Sequence, residues 1–328
     1  MDAVSFPALS DLRATARVVS LPLVTRFRGI DAREALLLEG PQGWTEFSPF
    51  VEYDDAEAAA WLTAAIDFGW HPQPAPVRDA VAVNATVPAV APASVPAVLA
   101  RFDGCRTAKV KVAERGQTLA DDVARVRAVR AAMGPEGRIR LDANGGWNVD
   151  EAEHAVHALA EFDLEYLEQP CASVPELADL RERIADWDIA VAADESVRKA
   201  DDPVAVARAG AADLIVVKAQ PLGGVRRALE IVADAGLPAV VSSALDTSVG
   251  IAMGVALAAA LPDLDYDCGL GTASLLAADV TTTPLRPENG ALPVRRVEPD
   301  ATLLEAHAAS PERRDWWLAR LERCYALL

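Results

Sequence analysis

The sequence predicts an α/β protein: a (β/α)8-type, modified TIM barrel with an N-terminal α+β capping domain. Three observations predict it. From residue 80 onward, eight short apolar runs alternate with longer helical stretches rich in Ala, Arg and Glu. A different pattern, hairpin then helix, precedes them. Acidic residues also recur at the ends of successive runs, 26 residues apart, at Asp142, Glu168 and Asp194.

Residues 1–80 read as a separate α+β region. Glu34–Glu39 and Gly43–Phe47 suit a hairpin about the Gly40–Gly43 turn, which contains Pro41. Asp55–Phe68 has helical apolar spacing and acidic residues in its first turn. His71–Pro76 is rich in proline and reads as a linker. Barrel strands are expected at Val81–Val87, Thr107–Val112, Arg138–Leu141, Leu164–Leu167, Ile189–Ala192, Leu214–Val217, Ala239–Ser242 and Tyr266–Leu270. Helices are expected at Leu119–Met133, Val149–Glu161, Pro175–Ile184, Pro203–Ala209 and Gly224–Ala235. Strand–helix alternation implies a parallel sheet, and eight units fit a barrel spanning 81–283. A doubly wound open sheet is the alternative, but no GxGxxG follows any strand, so a dinucleotide site lacks support. The tail 284–328 breaks the rhythm. It holds several prolines and an amphipathic helix from about Pro311 to Leu328, expected to return to the capping domain.

The 328 residues suffice for one barrel and a smaller domain, and 52% hydrophobic content supplies a sizeable core. A net charge of −18 argues against nucleic acid as a partner, because phosphate binding needs a cationic face. Cys105, Cys171, Cys268 and Cys324 form no CxxC pair, so free thiols in a reducing compartment are expected. The N-terminal stretch carries Asp2 and lacks a basic region followed by an apolar one, so no signal peptide is expected. Ile251–Leu261 is too short to span a bilayer. These features point to a cytoplasmic protein without a membrane role, and nothing implies a protein partner.

Only four of the 31 basic residues are lysines: Lys109, Lys111, Lys199 and Lys218. Arginine serves wherever a generic positive charge is wanted, so a retained lysine hints at an amine that can lose its proton. Codon bias with four chance survivors is the bland alternative. In a barrel, the carboxyl ends of the strands form the active-site face. The second strand, Ala108–Val112, directs Lys109 and Lys111 to one face. Lysines turned into a barrel are costly unless function compensates. The third strand ends Arg140-Leu141-Asp142-Ala143-Asn144, the fourth Glu168-Gln169-Pro170, the fifth Asp194-Glu195-Ser196 and the sixth Lys218. Any one of Asp142, Glu168 and Asp194 would serve as a helix N-cap. Three carboxylates on one rim, without nearby His or Cys and with lysines on flanking strands, suit a hard cation such as Mg²⁺ instead. A metal holding a substrate carboxylate acidifies the adjacent C–H by stabilising the enediolate formed on proton loss. A nearby cation helps a lysine shed its proton, which fits Lys111 beside Lys109 to act as a base.

The order Lys109-Val110-Lys111, Asp142-Ala143-Asn144, Glu168-Gln169-Pro170, Asp194-Glu195-Ser196 and Lys218 resembles the muconate-lactonizing subgroup of the enolase superfamily over nearly the whole chain. The resemblance implies that Asp142, Glu168 and Asp194 bind Mg²⁺, with Mn²⁺ as a substitute, and that Lys111 and Lys218 face each other across the substrate. Gly43-Trp44-Thr45-Glu46-Phe47-Ser48-Pro49, Ser242-Ser243-Ala244 and Gly269-Leu270-Gly271-Thr272 are most similar to the o-succinylbenzoate synthase family of menaquinone biosynthesis. Thr45 departs from that family's pattern, where glycine is expected. That family dehydrates 2-succinyl-6-hydroxy-2,4-cyclohexadiene-1-carboxylate. The resemblance implies that Lys111 removes the α-proton and then assists hydroxide departure, while Lys218 stabilises the enediolate. N-succinylamino acid racemase, dipeptide epimerase and cycloisomerase use the same lysines and metal. A non-catalytic ligand-binding barrel is a further alternative.

For substrate contacts, Leu23–Gly29 is expected as a mobile loop over the barrel mouth, bringing Arg26 and Arg28 to a carboxylate or leaving them on the surface. Arg140 shares the face of Asp142 and either lines the pocket or pairs with a carboxylate. Asn144, Ser242 and Ser243 are further candidates, the two serines as donors to the succinyl carboxylate. His154 and His157 read as surface helix positions, and Gly223-Gly224 as a tight turn.

Overall fold

In the computed structural model, which describes residues 6–199 and 202–328, the chain begins with the short helix Leu9–Thr15 and a three-stranded antiparallel sheet. The stretch carrying Asp2 lies outside the described residues. The sheet's strands are Arg17–Phe27, Ile30–Gly40 and Gly43–Phe47. The expected hairpin is present, with its first strand extended back to Ile30. Leu23–Gly29 is not a free loop, however. Leu23–Phe27 completes the first strand, Leu23 bridges Leu276 of the barrel, and the turn is confined to Arg28 and Gly29, both left-handed at φ 49° and 79°. Pro22 and an outer half that alternates toward solvent hide this strand from an apolar pattern.

The helix Asp55–Trp70 starts at Asp54, whose Oδ1 accepts from Glu57 N at 2.8 Å. It lays Trp61, Leu62, Ala65 and Ile66 on the sheet. Gly40 meets this helix so closely that a Cβ there would lie 2.2 Å from the Gly69 carbonyl oxygen. The tail helix Pro311–Tyr325 adds Trp317, Leu321 and Cys324 to the same apolar cluster. The tail helix thus packs on the capping region, whereas Leu285, Leu292 and Val297 earlier in the tail belong to the core cluster that includes the barrel.

Among the described residues, seven parallel strands then follow in sequence order: Ala85–Val87, Thr107–Lys111, Arg138–Asp142, Leu164–Glu168, Ala190–Ala193, Leu214–Val217 and Ala239–Val241. Two expectations are revised. Val81–Val87 splits, because Ala80–Ala82 pairs antiparallel with Ala291–Pro293 of the tail and only Ala85–Val87 enters the main sheet. Tyr266–Leu270 is not a regular strand among the described residues. It closes the ring through isolated parallel bridges, Val83 to Cys268 and Ser242 to Gly269. A Cβ on Gly269 would lie 2.4 Å from Ser242 Oγ, so a larger residue there would make that hydroxyl turn away.

Three of the outer helices begin with reciprocal capping boxes: Thr118 with Asp121, Asn148 with Glu151 and Ser173 with Glu176. Each satisfies orphan N–H groups at the end of a barrel loop, so strand ends and helix starts are held in place. All four cysteines are free thiols. Among the described residues, no helix is long and apolar enough to cross a membrane.

Glu46 joins the two regions. Fully buried, it accepts from Thr247 N and Gly250 N, each at 3.1 Å, at the start of the Ser248–Ala260 helix of the barrel, and from Ser48 Oγ. Arg33 beside it donates to Leu245 O at 3.1 Å. Burial, then repulsion by Asp246, push the Glu46 carboxyl up to about 7. A glutamate in the unfolded chain titrates near about 4.3. Between these values the folded state holds a proton that the unfolded chain has released, so this stabilisation declines as pH rises toward 7. Glu46→Gln keeps an acceptor toward Thr247 and Gly250. It is expected to flatten the fall of Tm between about pH 5 and 7. A calorimetric Tm–pH curve with the wild-type slope would refute this.

Candidate active site

Alternation along the second and third strands turns Lys109, Lys111 and Asp142 toward one interior face at the carboxyl end of the barrel. Register pairs Lys111 with Asp142, and Asp142 in turn with Glu168. Lys109 Nζ lies 2.8 and 3.0 Å from the two Glu168 oxygens and 3.3 Å from Asp142 Oδ2. Lys111 Nζ donates to the same Asp142 oxygen, and to Asn144 Oδ1 at 2.6 Å. Lys218 Nζ donates to Asp194, whose other oxygen accepts from Arg198 Nε at 3.1 Å. Arg198 also holds Glu195 Oε1 at 2.6 Å. Between the strands bearing Lys111 and Lys218 lie the three that carry Asp142, Glu168 and Asp194.

The electrostatics follow from this crowding. Burial opposes charge on Lys109, but Glu168 and Asp142 outweigh it and hold the ammonium above its usual range. Burial pulls Lys218 below the ordinary lysine value against the attraction of Asp194. Asp142 and Asp194 are buried too, yet their lysine partners hold both well below the usual carboxylate range. Glu168 goes the other way: burial first, and repulsion by Asp142 next, push it up to about 7.

These donors fit a hard divalent cation in kind: three buried carboxylates from adjacent strands, with no thiol or imidazole among them. A cation would relieve the repulsion that Glu168 bears. It would also have to take carboxylate oxygens now held by lysines, for among the described residues no three acidic, His or Cys side chains converge on one point.

The cavity above these groups is lined from the barrel by Lys109, Lys111, Asp142, Asn144, Asp194, Lys218, Ser242, Ser243 and Thr272. Its roof is Phe27, Arg28, Phe50, Tyr53 and Trp61 of the capping region. Ser243 Oγ donates to Gly269 O at 2.7 Å and lies 2.8 Å from Thr272 Oγ1. Of the two loop arginines, Arg28 lines the cavity and contacts Tyr53 OH at 3.3 Å, whereas Arg26 is turned back onto Gly29 O. Arg140 does not line it. It is buried lower in the barrel against Glu165, Asn84 and the Asp267 carbonyl, with Tyr166 beneath its guanidinium at 4.7 Å. Lys199 sits over the outer face of Tyr53.

Sequence reasoning missed Arg198, Tyr53 and the other roof aromatics. Arg198 was findable, four residues beyond Asp194 at the start of a helix. Tyr53 was not, because only docking of the capping region brings its hydroxyl to Arg198 at 3.4 Å.

Residues 93–299 match the enolase C-terminal domain-like family, and residues 18–69 the enolase N-terminal domain-like family. The o-succinylbenzoate synthase of Mycobacterium ulcerans is 57% identical over 322 residues, covering 98% of this chain and 96% of that one. That of Mycolicibacterium smegmatis is 56% identical over 323 residues, 98% of both. The chain belongs to the o-succinylbenzoate synthase family. This family lies within the enolase superfamily, whose enzymes generally use a divalent metal. Solved structures carry the fold comparison further. The muconate lactonizing enzyme of Pseudomonas fluorescens aligns with a TM-score of 0.76 at 19% identity, over 90% of this chain and 98% of that one. The dipeptide epimerase of Enterococcus faecalis aligns at 0.68 and 20%, over 86% and 96%. At such identities the likeness is one of fold, which o-succinylbenzoate synthases thus share with enzymes of other names.

Proposed function

We propose that this chain is an o-succinylbenzoate synthase that dehydrates 2-succinyl-6-hydroxy-2,4-cyclohexadiene-1-carboxylate to 2-succinylbenzoate. The observation that carries the reading is the placement of Lys111 and Lys218 at the two ends of an arc of carboxylates in one roofed cavity. Near full-length identity to o-succinylbenzoate synthases supports the choice of substrate.

Asp142, Glu168 and Asp194 would hold the divalent ion, which we take to be Mg²⁺. When bound, it supplies Lewis-acid stabilisation of negative charge on the substrate carboxylate. Lys111 takes the proton from the carbon adjacent to that carboxylate. The electron pair left behind delocalises into the carboxylate as an enediolate. Its collapse expels hydroxide from the neighbouring ring carbon, Lys111 returns its proton to that hydroxide, and water and an aromatic ring result. Lys218 opposes the enediolate's charge from the other side. Lys109 stays charged and balances Glu168 and Asp142. Phe27, Phe50, Tyr53 and Trp61 present an apolar surface to the cavity in which this chemistry would take place.

Aromatisation makes the test optical. Purified protein with Mg²⁺ is expected to produce the ultraviolet absorbance of 2-succinylbenzoate from the cyclohexadiene. EDTA is expected to abolish the signal, and added Mg²⁺ to restore it. No aromatic product in the presence of Mg²⁺ would defeat the assignment.

A further inference from the structure

Gln169 makes more contacts among the carboxylate strands than any chemistry above requires of it. It follows Glu168 directly and is fully buried. Its Oε1 accepts from Asp194 N at 2.9 Å and Ser196 N at 3.1 Å. Its Nε2 donates to Ser196 Oγ at 2.7 Å and Cys171 O at 2.8 Å. An amide has two donor hydrogens and two acceptor lone pairs, and all four are used. The backbone adds two more ties. Gln169 N donates to Ala192 O at 2.8 Å, and its carbonyl accepts from Gly145 N at 2.7 Å.

One residue therefore joins all three strand ends. Its carbonyl holds the loop that follows Asp142, its own chain carries Glu168, and its side chain holds the backbone of Asp194. The conformation is unusual as well: φ is +39°, a left-handed value that a residue with a β-carbon adopts at a cost and that local contacts must sustain. Asn144, two residues beyond Asp142, is also left-handed at φ +47°. The chain turns away sharply just past Asp142 and Glu168, leaving each carboxylate at the rim.

We infer that Gln169 is a positioning residue whose side chain, bonded to Asp194 and Ser196, sets the spacing between the Glu168 and Asp194 carboxylates and thereby the affinity for the divalent ion. This rests on the functional reading above, in which those carboxylates hold the ion. No shorter amide spans the gap, and glutamate would lose both donors. Methionine has the right length and no polar atom able to serve Asp194 N and Ser196 N.

The test measures metal binding in full-length protein, with Mn²⁺ as the probe and bound ion counted by electron paramagnetic resonance. Melting is followed in metal-free buffer alongside. Gln169→Met is expected to weaken Mn²⁺ about 10–100-fold, the usual scale for groups that orient metal ligands. Ser196→Ala removes one of the four side-chain bonds and is expected to weaken it less, by about threefold or more. A folded Gln169→Met protein with Mn²⁺ affinity within about twofold of wild type would overturn the inference and make Gln169 a loop brace. If Gln169→Met does not fold, Ser196→Ala decides by the same comparison. Wild-type protein that folds and binds no Mn²⁺ would sink the functional reading along with this one. Wild-type binding with unaffected variants sinks only this one.

Discussion

Lys111→Ala is expected to lower kcat by about 10²–10⁴-fold, the range for loss of a positioned general base. Lys111 reaches the cavity from the end of the second strand and is anchored by Asp142 and Asn144. Its removal leaves Lys109 still bonded to Glu168 and near Asp142, so the carboxylates keep a partner. KM and Tm should therefore move far less than kcat. The comparison with Lys218 sharpens the reading. A dehydration needs one base, whereas a racemase needs an acid–base residue on each face. Lys218→Arg keeps a positive charge beside Asp194 and should retain measurable dehydration more readily than Lys111→Arg. Equal loss in the two arginine variants would argue against a one-base scheme, and a Lys111→Ala enzyme within about tenfold of wild type would remove Lys111 from the base role.

The largest stability effect is expected at Trp317, on the tail helix. Its side chain is fully buried, meets the Phe47 ring edge-on at 5.9 Å and donates from Nε1 to Glu34 Oε2 at 2.9 Å. Trp317→Ala should cost about 3–5 kcal/mol, through the lost transfer energy and the cavity left behind. Glu34 would keep Arg313 as a partner, so little further loss is expected from an orphaned charge. Trp316, next in line and only half-buried, is the control and should cost clearly less. Urea unfolding of both variants decides the matter, and equal losses would contradict the packing. The cluster containing Trp317 also contains Phe50, Tyr53 and Trp61, which roof the cavity. Trp317→Ala should therefore raise KM as well, despite its distance in sequence from the lysines.

Much of the barrel was legible because its signals are local. A strand buried on both faces is a short apolar run, and a helix on its flank repeats every three to four residues. The Leu214–Val217 strand and the Leu119–Met133 helix have the bounds expected of them. Boundaries failed where the pattern was not local. Val81–Val87 reads as one apolar run, yet its first half answers to the tail through Ala291–Pro293. The Arg17–Phe27 strand escaped notice because its outer half faces solvent and Pro22 breaks its register. Arg140, on the face of Asp142, left two readings open, lining the pocket or pairing with a carboxylate, and the structure decides for the second. Glu165, Asn84 and Asp267 claim its guanidinium one layer down, and no spacing rule reports depth along a barrel axis.

By itself, the sequence determined which chemical groups reach the rim of the barrel. Strand alternation and the strand–helix repeat are short-range rules, and they carry Lys109, Lys111, Asp142, Glu168, Asp194 and Lys218 to strand ends without knowledge of any distant contact. Only the tertiary structure decided how those groups are paired, which arginines face the cavity, and what covers it. The Tyr53–Arg198 contact, the Glu46 cap on a barrel helix and the Gln169 ties across three strands each depend on segments brought together from far apart in the chain. Hydrogen bonds act over about 3 Å, so such pairings are settled only when the capping region docks and the ring of strands closes.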